Sequence, residues 1–80
     1  MTAEDINRKL IEIINEYTGL EPEEINDDLS IQGDLALNSF QLIALTGSME
    51  ETFKIQVHEN DRMGFEVLGD VKNYLYSKVL

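Results

Sequence analysis

The chain has no cysteine and only one histidine, His58, and each scarcity closes a class of chemistry. Without cysteine there is no disulfide, no thiolate metal site and no thiol nucleophile belonging to the chain itself. A single imidazole also leaves out the clustered ligands of a zinc site. Basic residues are scarce: six Lys and Arg stand against sixteen Asp and Glu, a formal charge of −10 over 80 residues. Nucleic acid needs Lys and Arg to neutralise its phosphates, and an anionic membrane surface repels such a chain, so neither is an expected partner. No apolar run is long enough to span a bilayer, and the N-terminus MTAEDINRKL opens with acids instead of the basic, apolar layout of a signal peptide. The expectation is one soluble, cytoplasmic domain over residues 1–80, close to the smallest size that one core stabilises. Its start at Met1 and its end just past the last helical stripe fit a free-standing protein, and charge steering would favour partners with basic patches.

What is present is helical periodicity. Ile6, Leu10, Ile13, Ile14 and Tyr17 share one face at a period of about 3.6 residues, which predicts a helix over 3–17. Thr2 with Asp5 resembles a capping box, and Gly19 is placed to end the helix. The following stretch, LEPEEINDDLSIQGDLAL, holds Pro22 and Gly33 and shows no sustained period. It far exceeds the roughly 4–6 residues of an ordinary connection. Leu20, Ile25, Leu29, Ile31, Leu35 and Leu37 recur through it and predict a loop pinned over the helix ends, with one helical turn near 22–25.

A second helix is expected over 39–53. Leu42, Leu45, Met49 and Phe53 fall in a narrow arc and form its core stripe, whereas Phe40 and Ile43 lie on another side with Gly47. A helix packed on one side needs only one stripe. Phe40 and Ile43 are therefore either covered by the loop or form an exposed docking patch, with Glu50 and Glu51 supplying charge further along. Ile55 and Val57 are expected as buried anchors, followed by a short helical turn at 59–63. The last helix is expected over 67–78, with Leu68, Val71, Leu75 and Val79 at helical spacing and Tyr74 and Tyr76 beside them. The fold class is all-α, with three longer helices, one short one and no strand pattern.

Ser39 is the residue whose placement needs a reason. Asn38 can cap the second helix, and Gln41 three residues on completes an approximate capping box. The Ser39 hydroxyl is then left one position inside the helix, free and outward. A hydrolytic serine requires an adjacent base and an orienting acid. His58 sits in a polar segment beside Glu59 and reads as a surface residue, and the G-x-S-x-G elbow is missing. The stretch DLSIQGDLALNS partly imitates a calcium loop through Asp28, Ser30 and Gly33, but Ser39 stands where the bidentate Glu belongs and Gln32 is a poor ligand. The acidic clusters EPEE and NDD read as a solvated face.

The segment GDLALNSFQLIALTGSMEETFKIQV resembles the acyl carrier proteins. Asp34-Leu35 and Asn38-Ser39-Phe40 match an attachment motif commonly written Asp-Leu-Gly followed by Asp-Ser-Leu. Met49-Glu50-Glu51 with Phe53 matches the end of that family's second helix, Ile55 and Val57 the residues after it, and VLGDVKNYL its last-helix signature. The resemblance implies a four-helix bundle with a short third helix and a long loop between the first two. It implies a carrier and no enzyme, holding acyl intermediates as thioesters on a 4′-phosphopantetheine arm that a phosphopantetheinyl transferase moves from coenzyme A to Ser39.

The implied partners are that transferase and acyl-transferring or condensing enzymes with basic docking patches. A monomer would meet them through Asn38, Phe40, Ile43, Glu50 and Glu51. Leu45, Met49, Phe53, Phe65, Leu68 and Val71 would line the bundle interior, where an acyl chain would slip between side chains and Met49 offers an adaptable wall. Asn38, Ala36 and Phe40 stand in for the usual Asp, Gly and Leu, and Gln41, Ala44 and Thr52 occupy positions that are often acidic. These departures imply a specialised pathway (a polyketide, an amino acid or an unusual lipid) in place of housekeeping fatty acid biosynthesis. The competing readings are an aminoacyl or peptidyl carrier, and an acidic helical adaptor that kept the carrier fold only for docking.

Overall fold

The computed structural model describes all of residues 1–80. Helix α1 spans Ala3–Thr18, α2 Ser39–Phe53, α3 Glu59–Arg62 and α4 Leu68–Val79, with a 3-10 turn at Pro22–Glu24 inside the α1–α2 loop. Helix α1 begins on the expected reciprocal cap. The Asp5 N–H donates to Thr2 Oγ1 at 3.1 Å and the Thr2 N–H to Asp5 Oδ2 at 3.3 Å. The Thr2 backbone N–H, then its hydroxyl, then Arg8 hold the Asp5 carboxyl below the ordinary carboxylate range. The helix ends at Gly19, whose φ of 77° lies in the left-handed region and lets its N–H reach Asn15 O.

Helix α1 packs on both α2 and α4. Ile6, Leu10, Ile13 and Ile14 meet Leu45, Met49 and Phe53 of α2 and Leu68, Val71 and Leu75 of α4, and Ile31, Leu35 and Leu37 of the loop complete the cluster. Each such side chain, withdrawn from water, contributes about 1.5–3 kcal/mol. The tyrosines tie the helices at their rims. Tyr17 Oη donates to Ala44 O of α2 at 3.0 Å and lies 2.8 Å from Ser48 Oγ. Tyr76 Oη donates to Asn7 Oδ1 of α1 at 2.8 Å, and Tyr74 Oη to Asp61 Oδ2 of α3 at 3.0 Å.

The loop between α1 and α2 acts as the cap of α4, a role its sequence pattern does not announce. Ser30 and Val67 form an isolated antiparallel bridge, in which Ile31 N donates to Glu66 O and Leu68 N to Leu29 O, both at 2.9 Å. Gly69 N reaches Asp27 O at 2.9 Å. Val67, at the N-cap position of α4, has no side-chain acceptor, so these loop carbonyls satisfy N–H groups the helix would leave unpaired. The closeness demands glycine: a Cβ at residue 69 would stand 3.2 Å from Asp27 O and 3.3 Å from Asp27 Cβ. Asp70 Oδ2 takes the N–H groups of Glu66 and Val67, which hold its carboxyl below the ordinary range. Lys72 closes the seam on Asp27 at 3.3 Å.

Some of the apolar residues expected inside sit at the margin of the core. Leu42, Ile55 and Val57 are half-buried. After α2 the chain reverses at Lys54 in the left-handed region, and Glu50 Oε2 takes the Val57 N–H at 2.8 Å, so residues 55–57 run back along the helix surface. Leu42 belongs to the open end of α2 and walls the cleft described below. Helix α4 begins and ends one residue later than its periodicity predicts.

Candidate functional site

The loop delivers Ser39 through a rigid turn. Ser30 N donates to Asp34 Oδ2 and Asp34 N to Ser30 Oγ, each at 2.8 Å. A Cβ on Gly33 would fall 2.6 Å from that Ser30 oxygen. Leu35 N and Leu37 N then bond Ser30 O and Ile31 O at 2.9 and 3.0 Å, with both leucines buried. Their anchoring fixes where the next residues emerge. Ala36 between them adopts φ 54°, a left-handed conformation that favours glycine.

Asn38 is the N-cap of α2. Its Oδ1 accepts the Gln41 N–H at 2.8 Å, and its own N–H donates to Gln41 Oε1 at 2.9 Å. The cap is thus complete without Ser39, whose side chain is exposed and makes no hydrogen bond within the chain. The first turn of α2 carries no acid, so the positive end of the helix dipole is not neutralised beside the Ser39 hydroxyl.

Ser39 opens on a cleft of about 270 Å³ lined also by Gln32, Leu42, Ile43, Arg62, Met63 and Phe65. A neighbouring cleft of about 520 Å³ shares Gln32, Met63 and Phe65 and extends to Ser30, Gly33 and Glu66. A third, of about 170 Å³ between α1, the loop and α4, does not reach Ser39.

The structure gathers Asn38, Ser39, Phe40 and Ile43 at one end of α2. Phe40 is 86% exposed and Ile43 48%, so no loop covers them, and Met63, at 73%, extends the apolar surface across the cleft. Glu50 and Glu51 lie at the other end, about 16 Å along the axis at ~1.5 Å per residue. Glu51 is exposed, while half-buried Glu50 is tied to the Val57 backbone. Of the six residues expected in the interior, Leu45, Met49, Phe53, Leu68 and Val71 are buried in the core cluster. Phe65 differs: it is half-buried, walls the cleft at Ser39 and meets the Tyr74 ring edge-on at 5.3 Å. The expected site left out Arg62 and Met63, and Gln32 entered only as a poor calcium ligand. The available signal was that Arg62 is the only Lys or Arg between Lys54 and Lys72.

The family model of the phosphopantetheine attachment site matches residues 8–75. The meromycolate extension acyl carrier protein of Mycobacterium leprae is 32% identical over 75 residues, covering 94% of this chain and 65% of that protein's length. The acyl carrier protein of Renibacterium salmoninarum is 32% identical over 74 residues, covering 92% of this chain and 91% of its own. Among solved structures, the acyl carrier protein of Enterococcus faecalis superposes with a TM-score of 0.82 at 26% identity, covering 96% of this chain and 98% of that one.

Proposed function

This chain belongs to the acyl carrier proteins, the family built around a phosphopantetheine attachment site, and from that premise we propose that it carries acyl groups on a 4′-phosphopantetheine arm joined to Ser39. The observation that carries the reading is the Ser39 hydroxyl, exposed and unbonded at the start of a helix already capped by Asn38 and Gln41. A phosphodiester suits that position, because no acid in the first turn repels it and the helix start favours negative charge. In the attachment step the Ser39 Oγ–P bond forms while the pyrophosphate P–O bond of coenzyme A breaks. The adenosine bisphosphate half leaves, and the serine proton passes to the transferase. When bound, the arm supplies the thiol that this cysteine-free chain lacks and holds acyl groups as thioesters. The chain itself catalyses nothing; it positions Ser39, and it presents Phe40, Ile43 and Met63 around it as the surface that partner enzymes meet.

The relatives named for meromycolate extension favour a lipid-type acyl cargo over an aminoacyl one. The carrier acts as a monomer in the cytoplasm, and no helix is long and apolar enough to cross a membrane. Incubation with coenzyme A and a broad-specificity phosphopantetheinyl transferase is expected to add one arm by intact mass, with Ser39→Ala abolishing the gain. Folded protein that gains no mass with several such transferases would overturn the reading.

A further inference from the structure

We propose that Arg62 clamps the phosphodiester on Ser39 and parks the arm along the cleft between α2 and α3; the inference rests on the attachment reading above. The other cations that make contacts are already satisfied. Arg8 bonds Asp5 and Glu12 at 3.4 and 3.5 Å, Lys72 bonds both oxygens of Asp27, and Lys78 sits 5.6 Å from the centroid of the Tyr74 ring. The Arg62 side chain is only 22% exposed, yet it donates no hydrogen bond within the chain. Its one carboxylate neighbour is Glu59, 3.9 Å away on the same short helix and 76% exposed. So loose and solvated a pair contributes little and exchanges easily.

Arg62 lines the same cleft as Ser39, together with Gln32, Leu42, Ile43, Met63 and Phe65. A planar donor set at the end of a largely buried side chain, with one weak partner, is matched to an oxyanion that offers two oxygens side by side. Attachment at Ser39 brings one to the same cleft, because a phosphodiester has two unesterified oxygens sharing one negative charge. Arg62 can take both while Leu42, Met63 and Phe65 shelter the apolar flank of the arm. The clamp sits on α3, which contributes no buried residue, so an enzyme that displaces α3 would release the arm. Arg62 is therefore a positioning residue.

The test compares intact apo protein with its arm-loaded form, the arm being verified by mass. Proton–nitrogen NMR is expected to show the Arg62 Nε–Hε signal moving downfield on loading while that of Arg8 stays in place. The movement should shrink in about 1 M salt, where the Debye length falls to ~3 Å. Phosphorus NMR of loaded Arg62→Gln is expected to show a displaced phosphodiester signal that Arg62→Lys restores in part. Verified loading with an unmoved Arg62 signal would overturn the clamp and leave the attachment reading intact, as would movement only after cargo is added. Absence of any mass gain overturns the attachment reading and the clamp with it. If Arg62→Gln fails to fold, the wild-type comparison alone decides.

Discussion

The two flanks of α2 are held by different physics. On one side, α2 packs through Leu45, Met49 and Phe53 into a cluster with α1, α4 and the loop, and Tyr17 bonds its backbone at Ala44. On the other side stands α3, four residues long with none buried. Its ties are the Tyr74 hydroxyl on Asp61 and the half-buried Phe65 that follows it. Burial there is too small to hold a helix by packing alone, so the cleft wall beside Ser39 is the part that opens at least cost.

Truncation should separate the two flanks most sharply. Met49→Ala is expected to cost about 2–5 kcal/mol in urea unfolding, since it empties a fully buried site, whereas exposed Met63→Ala should stay within about 0.5. Similar costs for the two would show that α3 is not peripheral. Next comes the seam between loop and α4. Gly69→Ala should destabilise by about 1–3 kcal/mol, because the added methyl presses on the Asp27 backbone. Gly47→Ala, with open space around the same methyl, should instead stabilise by about 0.5–1.

Tyr74→Phe removes the bonds to Asp61 and Gln56, at a cost of about 1 kcal/mol. Amide hydrogen exchange should then accelerate in residues 59–62 and stay unchanged in α1. The smallest effect is expected at Ala36. Its left-handed backbone costs an L-residue about 1–2 kcal/mol, partly offset by the larger entropy glycine loses on folding. Ala36→Gly should therefore raise the unfolding free energy slightly, by about 0.5 kcal/mol in urea denaturation, placing the strain in the turn that delivers Ser39 and outside the core.

Much of this was legible in the residues. The Thr2–Asp5 and Asn38–Gln41 caps and the Gly19 stop depend on neighbours within one turn, and α1, α2 and α4 follow their apolar stripes to within a residue. The exposed Phe40 and Ile43 were visible as a second arc on α2, although whether a loop covered them was not. What escaped was built from partners far apart in the chain. The bridge from Ser30 to Val67 and the Gly69–Asp27 contact join segments with no shared period. The bond from the Val57 N–H to Glu50 escaped as well, because nothing local shows that the chain reverses at Lys54.

The sequence by itself determined the helices, their caps, the acidic character and a serine freed from capping duty, because periodicity, capping and charge act over a few residues. Tertiary structure decided what surrounds that serine. Arg62, Met63 and Phe65 reach the Ser39 cleft only because the loop caps α4 and Tyr74 holds α3 against it. Those are long-range closures whose partners no local pattern names, so the free serine was legible and its surroundings were not.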